Sequence, residues 1–149
     1  MHRILLVVLV LAAAVSPCGA AEPGQVLETW LEQARAHVPQ VDTQTLRKLV
    51  DGDRDFVLLD VRLPGERQEA GAIDPFREVA IPRGYLEFKV PGKIPDTATP
   101  IIVYCGTGKR SLLAARTLQR MGYTRVRNYR GGFQAWKAAG LPVAPPMTP

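Results

Sequence analysis

The chain has 149 residues, the length of one ordinary domain, and a formal net charge of +5. Apolar residues make up 46% of it and charged residues 22%, so it can bury a core, and a disordered or collagen-like protein is excluded. Two cysteines are too few for a disulfide-stapled fold, and together with two histidines they are too few for a finger-type or ribbon-type zinc site.

Residues 1–21 have the pattern of a secretory signal peptide. Arg3 precedes an unbroken apolar run from Ile4 to Val15, which is too short to span a bilayer about 30 Å thick at about 1.5 Å per residue. Small residues follow, so we expect cleavage after Ala20 or Ala21 and export, with the periplasm as the compartment. A retained anchor is the alternative. Lipidation at Cys18 is disfavoured, because the preceding proline does not suit a lipobox.

Cleavage would leave about 128 residues with one cysteine, Cys105, and one histidine, His37. An unpaired thiol is unusual in an exported protein, so a function for the Cys105 thiol is expected. The charges of this mature chain are unevenly distributed along the sequence. Residues 22–82 contain 7 basic and 12 acidic residues, whereas residues 83–149 contain 11 basic and 2 acidic residues. An anionic ligand is therefore expected in the second half, although most of these cations belong on solvated helix faces. Export disfavours a nucleic-acid partner.

Apolar residues at helical spacing predict an amphipathic helix from Gly24 to Val38. A second helix is predicted to begin at Asp42 or Thr43, either of which can cap it, and to end at Asp51-Gly52. The next element is the apolar run Phe56–Leu59, whose lack of alternation is typical of a strand covered on both faces.

The segment Pro64–Gly92 is rich in glycine, proline and charge, and we expect long loops there with a short strand near Val79–Ile81. A second apolar run, Pro100–Tyr104, predicts another buried strand. The remaining predicted elements are a helix, a strand and a helix: Ser111–Met121, Arg125–Tyr129 and Phe133–Ala139. Alternating strands and helices predict the α/β class, with a central, mainly parallel sheet flanked by helices.

Cys105 follows the second apolar run directly, and a helix is predicted to start after a short turn. Open α/β sheets bind ligands at this end of their strands. Gly106 and Gly108 allow positive φ angles, so the backbone N–H groups from Gly106 to Ser111, including that of Thr107, can surround the sulfur as an anion-binding nest. The helix dipole and the charges of Lys109 and Arg110 act in the same direction. All of these favour the thiolate over the thiol. A buried, inert cysteine at a strand end is the alternative.

This loop resembles the six-residue active-site loop of rhodanese domains, Cys-x-x-Gly-x-Arg, here Cys105 to Arg110. Three other stretches are similar to family motifs: Leu59-Asp60-Val61-Arg62, Ile81-Pro82-Arg83-Gly84, and Tyr129–Trp136 with Gly140–Val143. One departure is that the family's Gly-His-Ile is Gly71-Ala72-Ile73, followed by altered spacing, which affects the expected shape of the pocket wall. The chain is thus predicted to comprise a signal peptide (1–21), an N-terminal helix and linker (22–41) and a single rhodanese-like domain (42–149).

The resemblance implies a sulfurtransferase. Cys105 would take sulfane sulfur from an anionic donor such as thiosulfate, hold it as a persulfide, and pass it to cyanide, a thiol or a protein acceptor, with no metal or cofactor. We expect Lys109 to bind the donor. Arg110 would either bind the donor too or, as we prefer, pair with Asp60 to fix the loop. Arg62 would likewise either bind the donor or, as we prefer, form a salt bridge that holds a strand end. Trp136 and the two glycines at 131 and 132 are interpreted as packing and turn residues.

Three other functions are considered. A related phosphatase or arsenate reductase would use a ring one residue longer, because phosphate needs a wider cradle, whereas position 111 here is serine. A persulfide carrier or binding module of the envelope, with little turnover of its own, is not distinguished from an enzyme by sequence. A cysteine protease using His37 is disfavoured, because that residue lies before the family-like region and no oxyanion-hole partner is evident.

Overall fold

The structure, a computed structural model, describes residues 22–52, 55–74 and 76–145. The predicted signal peptide and its cleavage site lie outside these residues. Within the described ranges, no helix is long and apolar enough to cross a membrane.

Five parallel strands form one sheet in the order β1-β5-β4-β2-β3. The strands are β1 (Gln40–Val41), β2 (Val57–Asp60), β3 (Glu78–Ala80), β4 (Ile101–Tyr104) and β5 (Val126–Tyr129). Strand β4 lies at the centre and all four of its residues are buried. The predicted parallel sheet is therefore confirmed. Strand β1 was not predicted, because two residues carry no recognisable period.

The helices are α1 (Pro23–His37), α2 (Thr43–Asp51), α3 (Pro64–Ala70), α4 (Leu86–Lys93), α5 (Lys109–Arg120) and α6 (Gly132–Ala138), and a short 3-10 helix (Arg83–Tyr85) precedes α4. Asp42 caps α2, since its carboxylate accepts the Thr45 N–H at 2.8 Å.

Successive strand residues point to opposite faces of the sheet, and each face carries its own core. Leu59 and Val103 belong to one buried cluster together with apolar side chains of α1, α4 and α5. Leu58 and Ile102 belong to a second cluster together with side chains of α2 and α6. Helices therefore cover both faces of the sheet, as expected for an α/β protein.

Helix α1 runs parallel to α5 and packs against it. Lys109, at the start of α5, lies 3.4 Å from Glu28, and Gln119 near its end donates to the His37 carbonyl at 3.1 Å. Leu31 and Ala34 are each only 1% exposed. The N-terminal helix thus contributes to the core.

The expectation of long loops between Pro64 and Gly92 is wrong, because this segment contains α3, the 3-10 helix and α4. Proline at the first position of α3 needs no N–H partner, and Glu66 accepts the Leu63 N–H at 3.0 Å. Helix α4 tolerates Pro91 in its last turn, at the loss of one backbone hydrogen bond. The burial of Leu86 and Val90 offsets that loss. The predicted short strand is present as β3, within one residue of its expected bounds.

Candidate active site

Cys105 lies at the carboxyl end of β4, and its side chain is 0% exposed. A turn of three residues, Gly106 to Gly108, separates it from the first residue of α5. The sulfur is therefore held between the end of the central strand and the amino end of a helix, where backbone N–H groups and the helix dipole favour negative charge.

Gly108 supplies a backbone hydrogen bond to the sulfur. Its N–H donates to Cys105 Sγ at 3.2 Å, and its φ of +88° lies in the left-handed region. A Cβ at this position would lie 2.2 Å from the Arg130 carbonyl oxygen, so only glycine fits. Gly106, in contrast, does not adopt a positive φ, and that part of the sequence prediction is wrong.

Ser111 provides a second donor to the thiol. Its hydroxyl oxygen lies 3.5 Å from Cys105 Sγ and 3.1 Å from the Gly108 carbonyl oxygen, and the side chain is fully buried. Because a hydroxyl has one proton, it can serve either acceptor but not both at once. Rotation of this hydroxyl can therefore follow a change in the charge of the sulfur.

The amino end of α6 holds the loop from the side opposite α5. Phe133 N–H donates to the Cys105 carbonyl at 2.7 Å and Gln134 N–H to the Gly106 carbonyl at 3.0 Å. This approach requires glycine at 132, whose φ is +61°, because a Cβ there would lie 2.6 Å from the Gly106 oxygen. Gly132 is thus more than the turn residue expected from the sequence, because its backbone touches the active-site loop.

Asn128 of β5 is another residue that the sequence did not single out. It is 1% exposed, and its amide donates to the Gln40 side chain at 2.9 Å and lies 3.4 Å from the Gly108 carbonyl oxygen. The available signal was that Asn128 shares a strand face with the buried Val126, since a buried amide is kept for its hydrogen bonds.

Arg110 pairs with Glu66 and not with Asp60, so the predicted Arg110–Asp60 pair is wrong. The two carboxylate oxygens accept from the guanidinium at 2.6 and 2.7 Å in a bidentate contact. The arginine lowers the pKa of Glu66 to about 2. The hydrogen bond to Glu66 and, to a smaller extent, the Cys105 sulfur raise the pKa of Arg110. Arg110 thus places positive charge beside the sulfur, held by a residue of α3.

Asp60 is occupied by Arg62 instead. Both are buried, and Arg62 Nη2 donates to Asp60 at 2.6 Å and to the Gly71 carbonyl at 2.7 Å. The guanidinium also lies over the Phe133 ring, 4.1 Å from its centre. The salt bridge expected for Arg62 at the end of β2 is therefore present, and it connects that strand end to the helix that holds the loop.

The buried side chain of Tyr104 belongs to the same cluster of polar residues as Asp60 and Arg62. Tyr104 donates to Glu78 at 2.6 Å, and Arg67 pairs with the same carboxylate. Burial, and then the charges of Asp60 and Glu78, raise the pKa of Tyr104, which keeps its proton.

Ala72 stands where the family has a histidine, and the C-terminal segment of the chain pairs with it. Ala72 is fully buried and pairs with Ala144 through two backbone hydrogen bonds of 2.7 and 3.0 Å.

Lys109 carries its ammonium outward, 3.4 Å from Glu28, with 62% of the side chain exposed. Within the part of the chain that the structure describes, no three side chains of His, Cys, Asp or Glu are grouped to hold a metal ion.

The sequence and the fold are similar to those of known proteins. The model of the rhodanese-like domain family matches residues 42–139. A sulfurtransferase of Allochromatium vinosum is 31% identical over 109 residues, which cover 73% of this chain and 97% of that protein. The polysulfide-sulfur transferase homodimer of Wolinella succinogenes superposes with a TM-score of 0.69 at 29% identity, covering 80% of this chain and 88% of that one. A Rhodopseudomonas palustris protein of unknown function, a possible tyrosine phosphatase, superposes with a TM-score of 0.73 at 31% identity, covering 86% and 98%.

Proposed function

The chain belongs to the rhodanese-like domain family, and we propose that it is a rhodanese-type sulfurtransferase that carries sulfane sulfur as a persulfide on Cys105. The observation that carries the proposal is the position of the thiol: it ends the central strand and accepts the Gly108 N–H at 3.2 Å, where α5 begins. Such an environment stabilises a thiolate without a general base.

In the first half-reaction, the Cys105 thiolate attacks the outer sulfur of a thiosulfate-like donor. A bond forms between the two sulfurs, the sulfur–sulfur bond of the donor breaks, and sulfite leaves with the electron pair. Arg110 supplies positive charge beside the sulfur, and the outward-pointing ammonium of Lys109 would attract an anionic donor toward the loop from solvent.

In the second half-reaction, a thiol or cyanide attacks the outer sulfur of the persulfide, and the electron pair of the broken bond returns to Cys105 as a thiolate. The loop N–H groups would stabilise the outer sulfur as an oxyanion hole stabilises oxygen. The Ser111 hydroxyl, at 3.5 Å, would stabilise the thiolate when the sulfur has left. Two half-reactions through one covalent intermediate predict ping-pong kinetics.

A tyrosine phosphatase is the second candidate, because one structural neighbour is described as a possible one. The length of the loop argues against it. Arg110 is the sixth residue of the loop counted from Cys105, and Ser111 occupies the position where the longer phosphatase ring has its arginine. The Arg110 guanidinium is moreover engaged by both oxygens of Glu66, which leaves it poorly placed to clasp a phosphate.

The test is thiosulfate:cyanide sulfurtransferase activity of the protein lacking residues 1–21, measured beside Cys105→Ala. Mass spectrometry after thiosulfate treatment should find one added sulfur on Cys105 and none in the variant. Undiminished activity of Cys105→Ala would refute the proposal, and rapid hydrolysis of an aryl phosphate would favour the phosphatase. Persulfide formation with negligible turnover would favour a carrier that delivers sulfur to a partner protein.

We further propose that the protein works outside the cytoplasm. The pattern of residues 1–21 supports this. Amino-terminal sequencing of the protein from a periplasmic fraction should begin at Ala21 or Glu22. An intact Met1 would favour a retained anchor, and absence of the protein from that fraction would argue against export.

A further inference from the structure

A second concave site lies between α1 and α5, away from the Cys105 loop. It is a groove of about 560 Å³, also lined by Arg83 of the 3-10 helix, and is named the α1–α5 groove. Its volume lies within the range of about 300–1,000 Å³ typical of small-molecule sites. Trp30 and Ala34 line it from α1, and Leu113 lines it from α5.

The charges that line this groove are all positive. Arg83, Arg116 and Arg120 contribute side chains, and no acidic residue lines it. Arg83 pairs with Glu87 at 3.0 Å, whereas Arg116 and Arg120 form no ion pair with any described residue. The last two are four residues apart on α5, a spacing at which like charges repel by a few tenths of a kcal/mol. An anion bound between them would remove that repulsion.

Trp30 supplies the apolar wall of the groove. Its side chain is 58% exposed, whereas Trp136, the only other tryptophan of the chain, is 1% exposed. An indole left open to solvent beside arginines offers a flat apolar surface next to charge-assisted donors. Helix α1 also lies outside residues 42–139, which the family model matches, so the α1 wall of the groove is not part of that shared domain, whereas Arg83 and the α5 wall are.

We propose that the α1–α5 groove binds a small organic anion that combines a flat apolar ring with an acidic group such as a sulfonate. The ring would lie on Trp30, and the acidic group would take hydrogen bonds from Arg116 and Arg120. Arg116 lies seven residues into α5, about 10 Å along the helix from its start, so a ligand here does not occupy the sulfur loop. This site therefore does not depend on the proposed sulfur transfer.

The chain suits a direct test by nuclear magnetic resonance, because its two tryptophans give two indole N–H signals. The signal of Trp136, whose N–H donates to the Pro142 carbonyl at 2.7 Å, is the internal control. Naphthalene-1-sulfonate should shift the Trp30 signal in a saturable way and leave that of Trp136 unchanged. Sulfate and 1-naphthalenemethanol, which lack the ring and the charge respectively, should bind at least about tenfold more weakly.

Variants separate this site from other basic surfaces. The double variant Arg116→Gln/Arg120→Gln should weaken naphthalene-1-sulfonate binding by about tenfold or more. Arg125→Gln/Arg127→Gln removes the same charge from a different groove and should leave the affinity within about twofold of the original. Cys105→Ala should bind as the unchanged protein does. Equal weakening in both double variants, an unshifted Trp30 signal, or equally tight binding of sulfate would overturn the proposal.

Discussion

Replacement of Gly132 by alanine tests whether the amino end of α6 holds the active-site loop in place. Gly132 has a φ of +61°, and an added Cβ would lie 2.6 Å from the Gly106 oxygen and 2.7 Å from the Thr107 nitrogen. Both are backbone atoms that cannot swing away. Gly140 is the matched control, because its φ is +66° and an added Cβ would meet nothing within 4 Å.

The magnitudes follow from these distances. A non-glycine residue in the left-handed region costs about 1–2 kcal/mol, and Gly140→Ala should lose only that amount of unfolding free energy. Gly132→Ala must also relieve a backbone overlap of roughly 0.8 Å, which costs about 1–3 kcal/mol more. We therefore expect Gly132→Ala to lose about 2–5 kcal/mol in total, with the midpoint of thermal unfolding falling by about 3–5 °C per kcal/mol.

Activity should separate the two variants further. A shift of the Gly106 carbonyl moves the loop that surrounds the sulfur, and a misplacement near 1 Å can cost about 100-fold in rate. Gly132→Ala should thus lose most of its thiosulfate:cyanide kcat at a temperature where it is fully folded, and Gly140→Ala should keep it. Urea unfolding and steady-state kinetics measure both effects. Equal losses of stability and of kcat in the two variants would refute the assigned role of α6.

Two further predictions concern the other sides of the loop. Ser111→Ala should lower kcat/KM for the acceptor by about tenfold, because the Cys105 thiolate released in that half-reaction loses its hydroxyl donor, and an unchanged kcat/KM in steady-state kinetics would contradict this. Glu66→Gln should lower the unfolding free energy by about 0.5–1 kcal/mol above pH 4.5, a modest amount because the Glu66 and Arg110 side chains are 36% and 42% exposed. Because the folded state holds the pKa of Glu66 at about 2, below its ordinary 4.5, this stability is present above pH 4.5 and is lost as the pH falls toward 2. Urea unfolding of both proteins should therefore differ above pH 4.5 and converge near pH 2, and a difference that does not depend on pH would contradict the pairing with Arg110.

The central strands and the position of the thiol could be predicted because they depend on local pattern. The run Ile101–Tyr104 is apolar at every position, which a strand covered on both faces requires, and Cys105 follows it directly. The helix after the loop was predicted from apolar spacing alone, and its observed start at Lys109 lies two residues earlier. Such an offset is ordinary for helix ends, where intrahelical hydrogen bonds are incomplete.

The partners of charged residues could not be predicted, because they depend on where distant elements pack. Arg110 was assigned to Asp60 on the basis of charge, but Arg62 already occupies that carboxylate from two residues away. Glu66 takes Arg110 because α3 forms in a segment that its glycines and prolines made look like loop. The sequence does carry a signal for α3, which is proline at the first helical position followed by Glu66 at the third.

The opposite charges of the two halves of the chain have a structural explanation in these pairs. Glu28, Asp42 and Glu66, all from the acidic half, lie near Lys109, Arg130 and Arg110 of the basic half, at distances of 3.4, 3.8 and 2.6 Å. Lys109 and Arg110 belong to both the active-site loop and the first turn of α5. Neighbouring carboxylates therefore fix the position of part of the positive charge of the loop. Arg116 and Arg120, further along α5, receive no such carboxylate from the described residues. Part of the excess charge of the basic half therefore lies at the α1–α5 groove, where the proposed anion would neutralise it.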